Sequence, residues 1–153
     1  MRALIQAAFS IRRLLLGTLR IRTRGVKVML FNDRGELLLI RNTYGNRSLF
    51  VLPGGGIGRR ENPRTAVERE VREELNTSIH DLTLVAIYQS TAEGKQDTVH
   101  LFRGLADGDP VADEREVEEA RFFRLDSLPQ NVSPATLRRV EEAQGSRSID
   151  GRW

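Results

Sequence analysis

Hydrophobic and polar positions alternate along much of the chain. Val26 to Phe31 reads as a strand, Asn32-Asp33-Arg34-Gly35 as a tight turn, and Glu36 to Arg41 as the returning strand of a hairpin. A polar loop from Asn42 to Ser48 follows. Leu49 to Leu52 is then a short strand that runs into Pro53 and the glycines Gly54 to Gly56. Here the period changes, and Ala66, Val67 and Val71 recur at helical spacing. Asn62 is a good N-cap, and Pro63 suits the first helical position, where its missing N–H costs nothing. The helix is expected from Pro63 to about Leu75, with Asn76 ending it in the left-handed conformation. Leu82 to Ser90 and Thr98 to Leu105 read as two more strands joined by a polar turn. An acidic loop through Asp107 to Glu119 leads to a short strand at Ala120 to Arg124. Ser133-Pro134 starts a last helix with Leu137 and Val140 on one face, and Gly145 to Trp153 reads as a loose tail. Strands outnumber helices, yet a long helix sits between strands. The expected class is therefore α/β, a mixed sheet covered by helices.

A length of 153 residues suits one domain with a real core. The expected division is an arm over 1–22, a domain over 23–144 and a tail over 145–153. Hydrophobic residues at 39% and charged residues at 29% argue against both disorder and a membrane bundle. The chain has no cysteine, which excludes disulfides, thiolate metal sites and cysteine nucleophiles. It also agrees with a reducing compartment, and a cytoplasmic location is expected.

The net charge of +3 is unevenly spread. Seven basic residues (Arg2, Arg12, Arg13, Arg20, Arg22, Arg24 and Lys27) precede the first acidic one, Asp33, and the remainder is net acidic. A uniformly basic nucleic-acid face is thus absent from the pattern. In the arm, Leu4, Ile5, Ala8, Ile11, Leu15 and Leu19 fall at roughly helical spacing among the arginines. Its longest uncharged run, Ala3 to Ile11, is far short of the ~20 residues that span a bilayer. Packing on the domain or across a homodimer, contact with a membrane surface, and an organelle-targeting presequence all remain open for it.

Candidate chemistry concentrates in the central helix. At about 100° per residue, Glu70, Glu73 and Glu74 share one arc, and Glu70 and Glu74 fall within the arc of Ala66, Val67 and Val71. Like charges at this spacing destabilise even an exposed helix, and partial burial raises the cost unless something neutralises them. A divalent cation removes that conflict, whereas a solvated face would leave it standing. Glu68 and Arg72, spaced i, i+4, read as an ordinary solvated pair. A site of oxygens without histidine or cysteine selects a hard ion, Mg²⁺ first and Mn²⁺ second. Such an ion is usually shared with phosphate oxygens, and Gly54, Gly55 and Gly56 would let backbone approach a ligand closely.

The spacing Gly55, Glu61, Arg69-Glu70, Val71, Glu73-Glu74 resembles the Nudix box. The preceding LFVLPGGG, the hairpin GVKVMLFNDRGELLLIRNTY and the later EVEEARFF also look like that family, so the likeness covers roughly Arg24 to Phe123. It implies an α/β/α sandwich and hydrolysis of a diphosphate linked to another moiety, usually a nucleoside diphosphate, with in-line attack of water on phosphorus. By the same likeness Glu70, Glu73 and Glu74 bind metal, with Gly55 and Glu119 counted in the set. Arg69 pairs with Glu61 to orient the site. Glu70 is the first candidate for general base and Glu119 the second, with Glu116 and Glu118 as alternatives or as parts of a solvated loop. Three positions depart from the pattern: Asn76 stands for the usual glycine, Thr77 for an aliphatic residue whose role Ile79 can fill, and Arg60 for the glycine that often precedes Glu61.

The substrate is less legible. Tyr44, Phe50 and Tyr88 can stack on a base or serve packing only. Arg41, Arg59 and Arg60 can meet phosphates or stay solvated, and His100 reads as structural. The spacing of prolines after the box disagrees with the ADP-ribose type, the motif of NADH-specific relatives is absent, and the isomerase branch relies on a cysteine. A generic nucleoside diphosphate derivative remains, with a capped or triphosphorylated RNA end as the nucleic-acid form. A module of this fold that has lost catalysis and binds RNA, nucleotide or a protein partner is the competing class.

Overall fold

A computed structural model describes residues 23–90 and 97–153; the arm expected over 1–22 lies outside them. The elements are β1 (Thr23–Phe31), β2 (Leu37–Asn42), α1 (Pro63–Leu75), β3 (Ile79–Ser90), β4 (Asp97–Ala106), β5 (Val117–Phe123) and α2 (Pro134–Ala143). The strands form one five-stranded sheet in the order β3-β4-β1-β2-β5. The pair β1–β4 is parallel and the others are antiparallel, so the sheet is mixed as expected.

The alternation along β1 and β2 builds two cores. Val26, Val28, Leu30, Leu38 and Ile40 pack on one face against Ala66, Val67, Val71 and Leu75 of α1. Met29, Phe31, Leu37 and Leu39 pack on the other with Phe50, Tyr88, Phe123 and Val140 of α2. The sheet thus lies between helices because each of its faces is apolar at every second residue. The segment expected as a strand at Leu49 to Leu52 is reduced to isolated bridges, Ile40 with Val51 and Phe50 with Val132.

Local signals set the bounds of α1. The Asn62 side chain accepts from the Thr65 N–H at 2.9 Å, and Asn76 ends the helix at φ 50°, ψ 32°. Thr77 is buried and donates its hydroxyl to the Asp107 carbonyl at 2.8 Å, while Ile79 packs against the core.

The last helix and the tail differ from expectation. The buried face of α2 is Thr136, Arg139 and Val140, and Leu137 stands 43% exposed. Arg139 takes the inward place because its guanidinium lies over the Tyr88 ring at 4.0 Å and near the Trp153 ring at 5.3 Å. It also donates to Glu142 at 2.7 Å, and Glu142 accepts from the Tyr88 hydroxyl at 2.6 Å. Residues 145–153, expected as loose, are docked: Gln89 N–H donates to Gly151 O at 2.8 Å and Trp153 N–H to Gln89 O at 3.0 Å. Trp153→Ala is expected to lower stability by about 2 kcal/mol, since it opens the stack over a buried guanidinium. A urea midpoint equal to that of the parent would show that this docking contributes nothing in solution.

Candidate active site

The glycine turn and α1 meet on one side of β1. The stretch Pro53 to Gly55 runs alongside that strand, with Val28 N–H donating to Pro53 O at 3.1 Å and Val26 N–H to Gly55 O at 2.9 Å. Gly54 has φ +126°, and a Cβ there would lie 2.3 Å from the Val26 carbonyl oxygen. At Gly55 a Cβ would lie 2.6 Å from the Glu70 carboxylate, so the bare backbone forms a cradle for that side chain. Gly54 N–H donates to Glu74 at 3.2 Å.

The three glutamates are not equivalent. Glu74 is buried, and burial first pushes its pKa up to about 7, with Lys27 opposing and Glu70 adding to the rise. Glu70 lies largely covered and is also raised by burial, against the pull of Arg69. Glu73, with 61% of its side chain exposed, faces solvent; only two of the three point inward. Arg69 ties the group together. It donates to Glu61 at 2.9 and 3.0 Å, to Glu70 at 2.8 Å, to Glu73 at 3.1 Å and to Gly56 O at 2.9 Å. The expected pairing of Arg69 with Glu61 is therefore present. It holds the Glu61 carboxyl down at about 2, with the Gly58 N–H as the second cause. The expected pair of Glu68 with Arg72 is not: Glu68 lies 3.6 Å from Arg64, one turn earlier, and Arg72 turns to the cleft.

The cleft has a volume of about 640 Å³. It is lined by Gly55, Gly56, Glu70, Glu73 and Glu74 with Arg69 and Arg72, and by Tyr44, Asp113, Arg115 and Glu116. Among the described residues, no three carboxylate or imidazole groups stand converged as a ready coordination sphere. The reason is local, since Arg69 draws Glu70 and Glu73 to itself while Glu74 turns to the Gly54 N–H. The donors still fit a hard cation: they are oxygens only, Glu70 and Glu74 are crowded and partly desolvated, and the Gly55 cradle leaves Glu70 no side-chain obstacle.

Several other candidates fall elsewhere. Glu119 accepts from Arg41 at 2.6 and 2.7 Å, and Arg41 also lies over Phe50; neither lines the cleft. Glu116 does line it, and its charge adds to the raised pKa of both Glu70 and Glu74. Asp113 fixes that loop by accepting from the N–H groups of Arg115, Glu116 and Val117. Phe50 and Tyr88 are buried in the second core, so they pack and do not reach a base. Tyr44 alone of the aromatic candidates lines the cleft; Arg59, Arg60 and His100 do not. No local pattern singles out Lys27, whose ammonium meets the turn from β1, or Arg115, which lines the cleft.

A NUDIX domain family model matches residues 21–143. The chain is 36% identical over 61 residues to an RNA pyrophosphohydrolase of Pseudomonas savastanoi pv. phaseolicola, covering 40% of this chain and 37% of that protein. It is 30% identical over 106 residues to the NAD-capped RNA hydrolase NudC of Stutzerimonas stutzeri, covering 67% of this chain and 37% of the relative. It thus spans well under half the length of these curated relatives. Among solved structures, a MutT NUDIX hydrolase from Burkholderia pseudomallei superimposes with a TM-score of 0.71 at 27% identity, over 79% of this chain and 97% of that one. A MutT protein from Methanosarcina mazei Go1 shares the fold at 22% identity and a TM-score of 0.65, over 82% and 94%. With the box residues assembled on α1 and its glycine turn, and the family model matching from residue 21 to 143, this chain belongs to the Nudix family.

Proposed function

We propose that the protein is a Mg²⁺-dependent pyrophosphohydrolase that cleaves a phosphoric anhydride bond in a nucleoside diphosphate linked to a further group. The observation that carries this reading is the placement of two carboxylates, the buried Glu74 and the largely covered Glu70, against a side-chain-free turn at the wall of a cleft. Glu70, Glu73 and Glu74 would hold the metal, with Gly55 beside them and Mn²⁺ able to substitute. Glu116 is favoured over Glu119 as the additional carboxylate, because Glu119 is engaged by Arg41. Bound Mg²⁺ would neutralise diphosphate charge and lower the pKa of a coordinated water.

The remaining work falls to the chain. Glu70, whose pKa burial raises, is suited to accept the proton of the attacking water. Arg69, by clamping Glu61, Glu70 and the Gly56 carbonyl, orients the carboxylates. Arg72 and Arg115 stand on the cleft lining, where guanidinium groups meet substrate phosphates, and Tyr44 offers a ring for a base. The two named relatives act on RNA by their names, one of them on NAD-capped RNA, which supports including RNA in the substrate class.

The test is a phosphate-release screen with Mg²⁺ or Mn²⁺ and a coupled phosphatase, across nucleoside triphosphates, ADP-ribose, NADH, dinucleoside polyphosphates, nucleotide sugars and 5′-triphosphorylated or NAD-capped RNA. A metal-dependent hit is expected and identifies the linked group. Silence across the panel from folded protein would favour the binding module.

A further inference from the structure

Lys27 enters this region from β1 of the sheet. Its ammonium donates to two carbonyls of the glycine turn, Leu52 O and Gly54 O, each at 2.9 Å. The N–H of the same residue, Gly54, donates to Glu74 at 3.2 Å. Lys27 and a buried carboxylate thus hold the same residue of the turn from its two sides, one at its carbonyl and one at its N–H. The ammonium's charge also acts directly on Glu74 and, second, on Glu70. Burial pulls the Lys27 pKa below the ordinary lysine value, and these two carboxylates oppose that pull. An ammonium can be neutralised or paired. Here it comes from β1, whereas Arg69, on α1, engages Glu70 and Glu73.

We propose that Lys27 is a positioning residue that serves as the resident counter-ion of Glu74 and Glu70, fixing the turn at Gly54 and holding the carboxylates assembled before a divalent cation arrives. A turn pinned only by hydrogen bonds would need no charge at that position. A lysine ammonium is a compact cation that can bond two carbonyls and still present charge to a third group. Its consequence is a coupling that exists without metal and weakens with it, since the divalent ion takes over the neutralisation. The metal clause rests on the function proposed above; the coupling between Lys27 and Glu74 does not.

The experiment is a set of thermal melts of the full chain at pH 8, in EDTA and in saturating Mg²⁺, for the parent, Lys27→Met, Glu74→Gln and the double variant. In EDTA, Lys27→Met is expected to lower Tm by about 5 °C or more, and adding Glu74→Gln to recover most of that loss. Mg²⁺ is expected to shrink the Lys27→Met deficit, and Lys27→Arg, which keeps the charge, to retain more of the parent's Tm than Lys27→Met does. A Lys27→Met deficit that is the same with and without Glu74→Gln, and the same in EDTA and Mg²⁺, would reduce Lys27 to a loop clamp and overturn the proposal. If Lys27→Met fails to fold alone, folding only alongside Glu74→Gln supports the counter-ion role; failure in both backgrounds overturns it. A titration of the parent with Mn²⁺, followed by electron paramagnetic resonance, separates the two readings. Absence of Mn²⁺ binding with the EDTA coupling intact would sink the hydrolase reading while Lys27 keeps its role.

Discussion

Glu74→Gln is expected to make the metal-free protein more stable and the enzyme about 10³-fold slower, the second figure following from the several kcal/mol that a bound metal contributes to such a transition state. The stability gain has a definite pH signature. Burial raises the folded pKa of Glu74 to about 7, above its ordinary 4.5. Below about pH 4.5 the carboxyl is protonated whether the chain is folded or not, and it carries no penalty. As pH rises from there to about 7 the unfolded chain ionises first, so stability is lost across that window and the loss is complete above it. The magnitude is at most about 3 kcal/mol at pH 8, from the size of the shift. Glutamine keeps an oxygen to accept the Gly54 N–H and has no charge to bury. Urea midpoints at pH 4.5 and pH 8 in EDTA check this: the variant and the parent should coincide at the lower pH and separate at the higher. Saturating Mg²⁺ should raise the parent's midpoint and leave the variant nearly unmoved. A variant less stable than the parent at pH 8 would contradict the assignment of a destabilising buried charge.

The adjacent glycines should separate folding from function. In Gly54→Ala the new methyl meets backbone, with a Cβ 2.3 Å from the Val26 carbonyl oxygen and 3.0 Å from the Lys27 Cα, at a φ of +126° that alanine rarely adopts. Backbone cannot move aside cheaply, so a loss of about 3 kcal/mol or more is expected, seen as a large fall in soluble, cooperatively melting protein. In Gly55→Ala the methyl instead meets the end of a flexible side chain, the Glu70 carboxylate at 2.6 Å. That group can swing away, so the fold should survive within about 1 kcal/mol while turnover falls about 10²-fold, the cost of a displaced catalytic group. Circular dichroism melts and kcat measured on the same preparations decide between the two. Equal melting and equal turnover for Gly55→Ala would mean that Glu70 does not need its cradle.

Features encoded in a few neighbouring residues were readable before the structure. The bounds of α1 depend on Asn62, Pro63 and Asn76, each acting within one turn, and they hold to the residue. The box itself is a fixed spacing on that helix. Features that depend on strand register were not readable. A β-bulge between Arg41 and Asn42 shifts the partner from Glu119 to Val117, skipping Glu118. That one-residue slip helps decide which glutamate of the cluster meets Arg41 and which borders the cleft. Phe50 and Tyr88 looked available for stacking because burial belongs to the packing between sheet and α2, which no local pattern records. Arg139 is the reverse case. A charged residue in a helix reads as solvated, and only the approach of Tyr88 and Trp153 turns it inward.

The parallel ladder between β1 and β4 also bears on how the chain assembles. It joins Thr23–Phe31 to a strand that begins at Asp97, so the centre of the sheet cannot close during synthesis until about residue 106 has emerged. Until then α1, with its crowded acidic face, has left the ribosome with only a hairpin to pack against. Long-range pairing of this kind slows folding and prolongs exposure of apolar surface. Substitutions in β4 at Leu101 or Phe102, which do not line the cleft, should therefore reduce yield in cells more than they reduce the specific activity of the molecules that do fold.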